Sequence, residues 1–211
     1  ANDQVQFSAN GVYASDAADF NIALDLTDLA LISEEASGAL AARGSARLAA
    51  PEDPLVLVLD AQVPNGTLGD YTLRDAKLGV AATLLEGSIS GDVTGAAMLD
   101  GHRATLETNF ETDAELQRLS GIAFEIAGTR ISGDLTRMVE SGLVDGRLDV
   151  AANDVSLAAA LLLTDASGAV NAAIELTPQD GRQGAGVTAN VAELRINDIS
   201  VGRADITAGI S

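Results

Sequence analysis

The sequence predicts an all-β fold, a mostly antiparallel meander of amphipathic strands. Three observations predict it. Apolar residues recur with period two, charges occupy the positions between them, and Asp-Gly or Asn-Gly pairs interrupt the runs. Alternation puts every second side chain on the same face of a strand, so one face is greasy and the other wet.

The runs come in order along the chain. Phe20, Ile22, Leu24 and Leu26 alternate with Asn21, Ala23, Asp25 and Thr27. Leu55, Leu57, Leu59, Ala61 and Val63 share the next face, although Val56 and Val58 make that strand apolar on both sides. Leu78, Val80, Ala82 and Leu84 follow, then Ile89, Gly91, Val93, Gly95, Ala97 and Leu99. Ala104, Leu106, Thr108 and Phe110 continue, then Ile122, Phe124 and Ile126, then Leu148, Val150 and Ala152. Val170, Ala172, Ile174 and Leu176 precede Val187, Ala189 and Val191, and Ala204, Ile206, Ala208 and Ile210 close the chain. Lys77, Asp92, Glu107, Glu125, Arg147, Asp149, Glu175 and Asp205 take the opposite register.

Asn65-Gly66, Asp100-Gly101, Asp145-Gly146 and Asp180-Gly181 are the residues that tight hairpin turns favour, because both central positions need positive φ. Two segments break the strand pattern. Asn153-Asp154 before the Ala/Leu-rich stretch Val155 to Leu163 reads as an N-cap and a short helix. Asp113 to Leu119 reads as a second one. Two internal echoes stand out as well. Ile89-Ser90-Gly91-Asp92-Val93-Thr94 returns as Ile131-Ser132-Gly133-Asp134-Leu135-Thr136, and Ala36-Ser37-Gly38-Ala39-Leu40 returns as Ala166-Ser167-Gly168-Ala169-Val170. A degenerate strand repeat and chance among common small residues both account for them. No linker or shift of composition divides residues 1–211, which read as a single continuous β-rich segment.

Composition excludes several partners. Twelve Lys and Arg oppose 31 Asp and Glu for a net charge of −19, and Lys77 is the sole lysine. Phosphate backbones and anionic lipid surfaces both call for clustered cations, so nucleic acid and electrostatic membrane docking are not expected. At 47% hydrophobic residues the chain is too apolar for a solvated coil. Four Phe, two Tyr and no Trp mean a core that is thin or built of small layers. There is no Cys, hence no disulfide or thiol chemistry. No apolar run of about 18 residues forms a membrane helix. The opening residues Ala1-Asn2-Asp3-Gln4 do not resemble a signal peptide, which suggests a cytosolic chain or one cut from a longer precursor.

Chemistry is sparse. The single imidazole, His102, sits in the turn Asp100-Gly101-His102-Arg103, where solvation is the simpler reading. The carboxylates fall mainly on the wet register or in turns, where they keep ordinary solvation, so no glycosidase pair is expected. Gly184-Ala185-Gly186-Val187-Thr188-Ala189 matches a dinucleotide fingerprint in letters, but leads into an alternating strand instead of opening a helix. Metal-ligand spacings are absent. No enzyme, cofactor or metal is expected.

Residues Thr129 to Ile206 resemble the TamB family of envelope proteins, AsmA-like bridge-type lipid transfer proteins. The likeness is carried by Thr129-Arg130-Ile131-Ser132-Gly133-Asp134-Leu135 and by Ser141-Gly142-Leu143-Val144-Asp145-Gly146-Arg147-Leu148-Asp149-Val150. Ala159-Ala160-Leu161-Leu162-Leu163 through Val170, Gly181-Arg182-Gln183, and Leu194-Arg195-Ile196-Asn197-Asp198-Ile199 extend it. These are repeat-like patterns, not catalytic signatures. The resemblance implies an elongated, curled sheet that forms an open, taco-like trough with an apolar interior. It implies a periplasmic segment of a longer chain with an inner-membrane anchor elsewhere. It also implies a TamA-like outer-membrane barrel as partner, with roles in phospholipid transport between the membranes and in outer-membrane protein assembly.

On that expectation Leu78, Val80, Ile89, Val93, Leu106, Phe110, Ile122, Phe124, Ile126, Leu148, Val150, Ile174 and Val187 line a groove for acyl chains. Two other architectures share the alternation. A closed two-layer sandwich packs the same residues on one another, and a β-solenoid or adhesin stalk would add strict coil-length repeats, which are not evident. An enzyme on a β-helix lacks a site.

Overall fold

The computed structural model describes residues 4–14, 17–161 and 164–210. The protein is all-β, an open antiparallel sheet of 14 strands in which strands follow chain order. The exception is the short β3, which pairs with β5 beside β4. Two compact units divide the chain, Ala1–His102 and Arg103–Ser211.

Unit 1 contains β1 (Val5–Ala14), β2 (Ala17–Leu26), β3 (Ala36–Gly38), β4 (Leu40–Leu48), β5 (Leu55–Leu68), β6 (Tyr71–Leu85) and β7 (Ser88–Leu99). A single 3₁₀ turn, Leu29–Leu31, lies between β2 and β3. Unit 2 contains β8 (His102–Thr112, its first residue closing unit 1), β9 (Leu116–Ile126), β10 (Thr129–Met138), β11 (Val144–Ala152), β12 (Ala166–Gln179), β13 (Arg182–Ile196) and β14 (Ile199–Ile210). Between β11 and β12 lies the short helix α1 (Ser156–Leu161). It falls in the segment where a helix is expected, of which Leu162 and Leu163 lie outside the described residues.

The hairpins explain the connectivity. Asp100-Gly101 and Asp180-Gly181 turn as their composition predicts, with φ of +47° and +80°, and +50° and +74°. Two further turns of the same geometry, Glu86-Gly87 and Ala127-Gly128, carry residues that composition does not flag. Both central φ values are positive, which matches the right-handed twist of the strands they join.

Three expectations from sequence are corrected. Asn65-Gly66 lies inside β5, where the strand continues to pair with Arg74 and Leu73. Asp145-Gly146 lies inside β11, opposite Thr136 and Leu135. The chain has already reversed before it, where the Met138 N–H donates to the Leu143 carbonyl at 2.8 Å. Both glycines serve close approach instead: a Cβ on Gly66 would collide with the Ser37 carbonyl oxygen, and one on Gly146 with that of Asp134. Asp113 to Leu119 is not helical either. The Asp113 carboxylate accepts the N–H groups of Glu115 (2.7 Å) and Leu116 (2.8 Å), which closes a hairpin loop, and β9 begins at Leu116. A local side-chain acceptor here outcompetes the first turn of a helix.

Candidate functional site

Residues directly opposite each other in an antiparallel pair project from the same face, so the register traces that face across each unit. In unit 1 one line of direct partners runs Phe7–Leu24–Ala42–Ala61–Leu78–Gly95. A second runs Ala9–Ile22–Gly44–Leu59–Val80–Val93, and a third Gly11–Phe20–Ala46–Leu57–Ala82–Gly91. In unit 2 one line runs Leu106–Phe124–Ile131–Val150–Ala172–Ala189–Ile206. Beside it runs Ile122–Gly133–Leu148–Ile174–Val187–Ala208. None of these lines holds a charge. The residues expected to line a groove all lie on this face, Phe110 two positions along β8 from Thr108 and four from Leu106.

The other face carries the charge. Arg43 pairs with Asp25 (2.8 Å), Arg118 with Glu111 (2.9 Å) and Arg130 with Glu125 (3.2 Å). Arg147 sits between Asp149 (2.7 Å) and Glu175 (3.0 Å). The Asp149 carboxylate raises the Arg147 pKa above its ordinary value, and the Arg147 guanidinium lowers that of Asp149. A concavity of about 360 Å³ opens around Arg147, Glu175 and Thr188, on this charged side.

Exposure differs along the apolar face. Leu78 is 42% exposed, while Val80, Ile89, Val93, Leu106, Phe110, Ile122, Phe124, Leu148, Val150, Ile174 and Val187 are all half-buried. Ile126 is 0% exposed, so it is core and not groove surface. Ala104 and Thr129 flank it and are buried with it, and at the same end of the face Ala152 and Val191 are buried while Val170 and Ala204 are half-buried. Thr129 is 1% exposed and Val191 2%. The Thr129 hydroxyl donates to the Asp154 carbonyl oxygen at 2.9 Å, which satisfies a polar group that burial would otherwise penalise. In unit 1 the corresponding end of the face holds Leu26, opposite Leu40, and Val63, opposite Ala76. Leu26 and Val63 are both 6% exposed.

These sealed ends coincide with the places where the chain leaves the sheet. Asp28 accepts the Ala30 N–H at 3.1 Å at the head of the 3₁₀ turn, and the same oxygen accepts the Gly38 N–H at 3.2 Å. Asp154 accepts the Ser156 N–H at 3.0 Å at the head of α1, and the same oxygen accepts the Gly168 N–H at 3.2 Å. The Ser156 N–H chiefly holds the Asp154 carboxyl below the usual range; burial opposes it, and the Gly168 N–H and the Ser156 side chain add smaller contributions in the same direction as the first. Gly38 and Gly168 have φ of +113° and +107°. A Cβ on either would collide with a carbonyl oxygen of the next strand, Asn65 and Glu193 respectively. The echo Ala36-Ser37-Gly38 and Ala166-Ser167-Gly168 is thus a repeat of geometry, and the Asp that completes it was not legible from spacing, since it stands 10 residues before the glycine in one copy and 14 in the other.

The far ends of the face differ between units. In unit 1 a concavity of about 760 Å³ has Leu48, Leu55 and Leu84 in its wall and Glu52, Asp53 and Glu86 around it. In unit 2 that end is polar, with Arg137 donating to the Gln117 side chain at 2.8 Å and Gln183 bridging both backbone groups of Val144.

His102 is exposed at the start of β8, and Gly184 to Ala189 lies within β13. Among the described residues no three His, Asp or Glu side chains gather so as to hold a metal ion. No helix among them is long and apolar enough to cross a membrane. Comparisons with family models, with curated proteins and with solved structures return no match.

Proposed function

We propose that this chain is a non-catalytic segment of a cell-envelope bridge that holds phospholipid acyl chains on its apolar face and conducts them between inner and outer membranes. The observation that carries the reading is the run of uncharged lines across each unit whose large side chains are half-buried or exposed. Each methylene transferred from water to such a surface contributes about 0.8 kcal/mol, so area alone holds a long chain. That attraction has no direction, and a guest can slide along the face without breaking specific bonds. A sheet suits the task, because its backbone groups are paired laterally and leave the face free of unsatisfied donors.

The resemblance to the TamB family supplies the rest of the proposal. The segment belongs to a longer periplasmic chain anchored in the inner membrane, works with a TamA-like outer-membrane barrel, and is linked to outer-membrane protein assembly. The acidic face keeps the protein soluble and discourages edge-to-edge pairing.

Solvent extraction of the purified protein followed by mass spectrometry tests this reading. Phospholipid is expected in the extract, at lower occupancy in Leu106→Asp and Phe124→Asp with the strand signal in circular dichroism retained. An extract without lipid, or occupancy indifferent to both substitutions, overturns it in favour of a closed sandwich or a solenoid module.

A further inference from the structure

We propose that the acid-rimmed concavity at the Leu48, Leu55 and Leu84 end of unit 1 receives the ammonium headgroup of a phospholipid, so that the protein selects amine-headed lipids over anionic ones. The inference rests on the lipid-holding reading and names the class of lipid taken.

The wall of the concavity is hydrocarbon and continues the apolar face. Leu55, Leu84 and Ile89 are direct cross-strand partners, the next line of that face beyond Leu57, Ala82 and Gly91. Leu48 follows Ala46 on the same face of β4. Leu48, Leu55 and Leu84 are half-buried around an opening of about 760 Å³, and Leu85, 46% exposed, borders it as well. An acyl chain lying on the face therefore reaches this opening without crossing a charged position.

Two turns set the rim. The chain reverses over Ala50-Pro51-Glu52-Asp53, where the Asp53 N–H donates to the Ala50 carbonyl oxygen at 3.0 Å. Pro51 takes the second position, which suits its fixed φ, and Pro54 restricts Asp53 to extended backbone. Glu52 and Asp53 thus stand between two prolines, with little backbone freedom left to lose when a ligand binds. The third carboxylate, Glu86, comes from the turn Glu86-Gly87 that joins β6 to β7.

All three carboxylates are exposed, and among the described residues none of them forms an ion pair. No Lys or Arg stands among the residues that line the concavity, so nothing there holds a phosphate. An apolar wall under a negative rim selects by charge as well as by area. An ethanolamine head ends in an ammonium, which carboxylates attract and which donates hydrogen bonds to them. A glycerol head leaves the lipid a net anion, and the same carboxylates repel it.

The test incubates the purified chain with vesicles of equimolar phosphatidylethanolamine and phosphatidylglycerol of matched acyl chains, then re-isolates it and quantifies bound lipid by mass spectrometry. The wild type should hold the amine-headed lipid in about fivefold excess over the vesicle ratio. The combined variant Glu52→Gln, Asp53→Asn and Glu86→Gln should bind both lipids in the vesicle ratio, and Glu86→Gln alone should fall between. A control that loses the same charge at exposed positions elsewhere, Asp92→Asn, Glu107→Gln and Glu140→Gln, should keep the wild-type preference.

Lipid bound to the wild type in the vesicle ratio, or a preference that survives loss of the three rim carboxylates, overturns the headgroup site and leaves the lipid-holding reading in place. A preference lost equally in the control shows that net charge selects, and overturns the site too. No lipid on any of the proteins removes the lipid-holding reading, and the site falls with it.

Discussion

Unit 1 leaves its sheet through one 3₁₀ turn and returns through the separate short strand β3. Unit 2 makes a true helix, and its β12 runs unbroken from Ala166 to Gln179 with only an irregularity between Ser167 and Ala169. The backbone between aspartate and glycine differs in length, yet the carboxylate, the two N–H groups it accepts and the left-handed glycine are shared. What the two copies hold in common is the closure of the loop, and the helix is one of two ways to fill it. The opposite ends part company, acidic in unit 1 and carrying Arg137 in unit 2.

Substitutions test whether the two units are built alike. The largest effect is expected from Ile126→Asp, which puts a carboxylate at a position with no solvent contact; a loss on the order of 4 kcal/mol is expected in urea unfolding. If Ile126→Asp instead unfolds like the half-buried Leu106→Asp, the distinction between sealed and open lines fails. Next come Gly38→Ala and Gly168→Ala. Each forces a Cβ into a carbonyl oxygen at positive φ, and about 2 kcal/mol is expected from each. Unequal costs would show that the two glycines are not equivalent.

Asp154→Ala should cost about 1 kcal/mol, the usual worth of a capping acceptor. Its pH dependence has a definite sign. The folded-state pKa lies below the ordinary carboxylate value, so the contribution is present in full above the unfolded-state pKa. It is lost as pH falls from about 4 through the lower folded value. The gap between wild type and Asp154→Ala should therefore close on acidification, and a gap that persists at low pH would mean that the charge plays no part. Leu106→Asp should cost about 1 kcal/mol, well below Ile126→Asp because its site is only half-buried, and should be read in bound lipid.

The apolar face was legible in the sequence because Leu, Ile and Val mark it at every second position, and the charges confirm the register from the other side. β4 was not, since Leu40, Ala42, Gly44, Ala46 and Leu48 alternate in residues of little hydropathic contrast. The turns Glu86-Gly87 and Ala127-Gly128 escaped because the pairing of adjacent strands imposes positive φ on residues that do not prefer it. Asp145-Gly146 misled for the converse reason, as a glycine demanded by a neighbouring carbonyl looks the same in sequence as one demanded by a turn. The bonds of Asp28 and Asp154 depend on which backbone N–H a carboxylate reaches after folding, a quantity that spacing does not encode.

One consequence follows from the pairing of strands with their neighbours in sequence. Inside each unit most contacts close loops of a few tens of residues or fewer, so the entropy lost in forming them is small at every step. A ribbon of this kind can zip from any hairpin outward, and a nascent chain emerging end first needs no distant part of itself before beginning to fold.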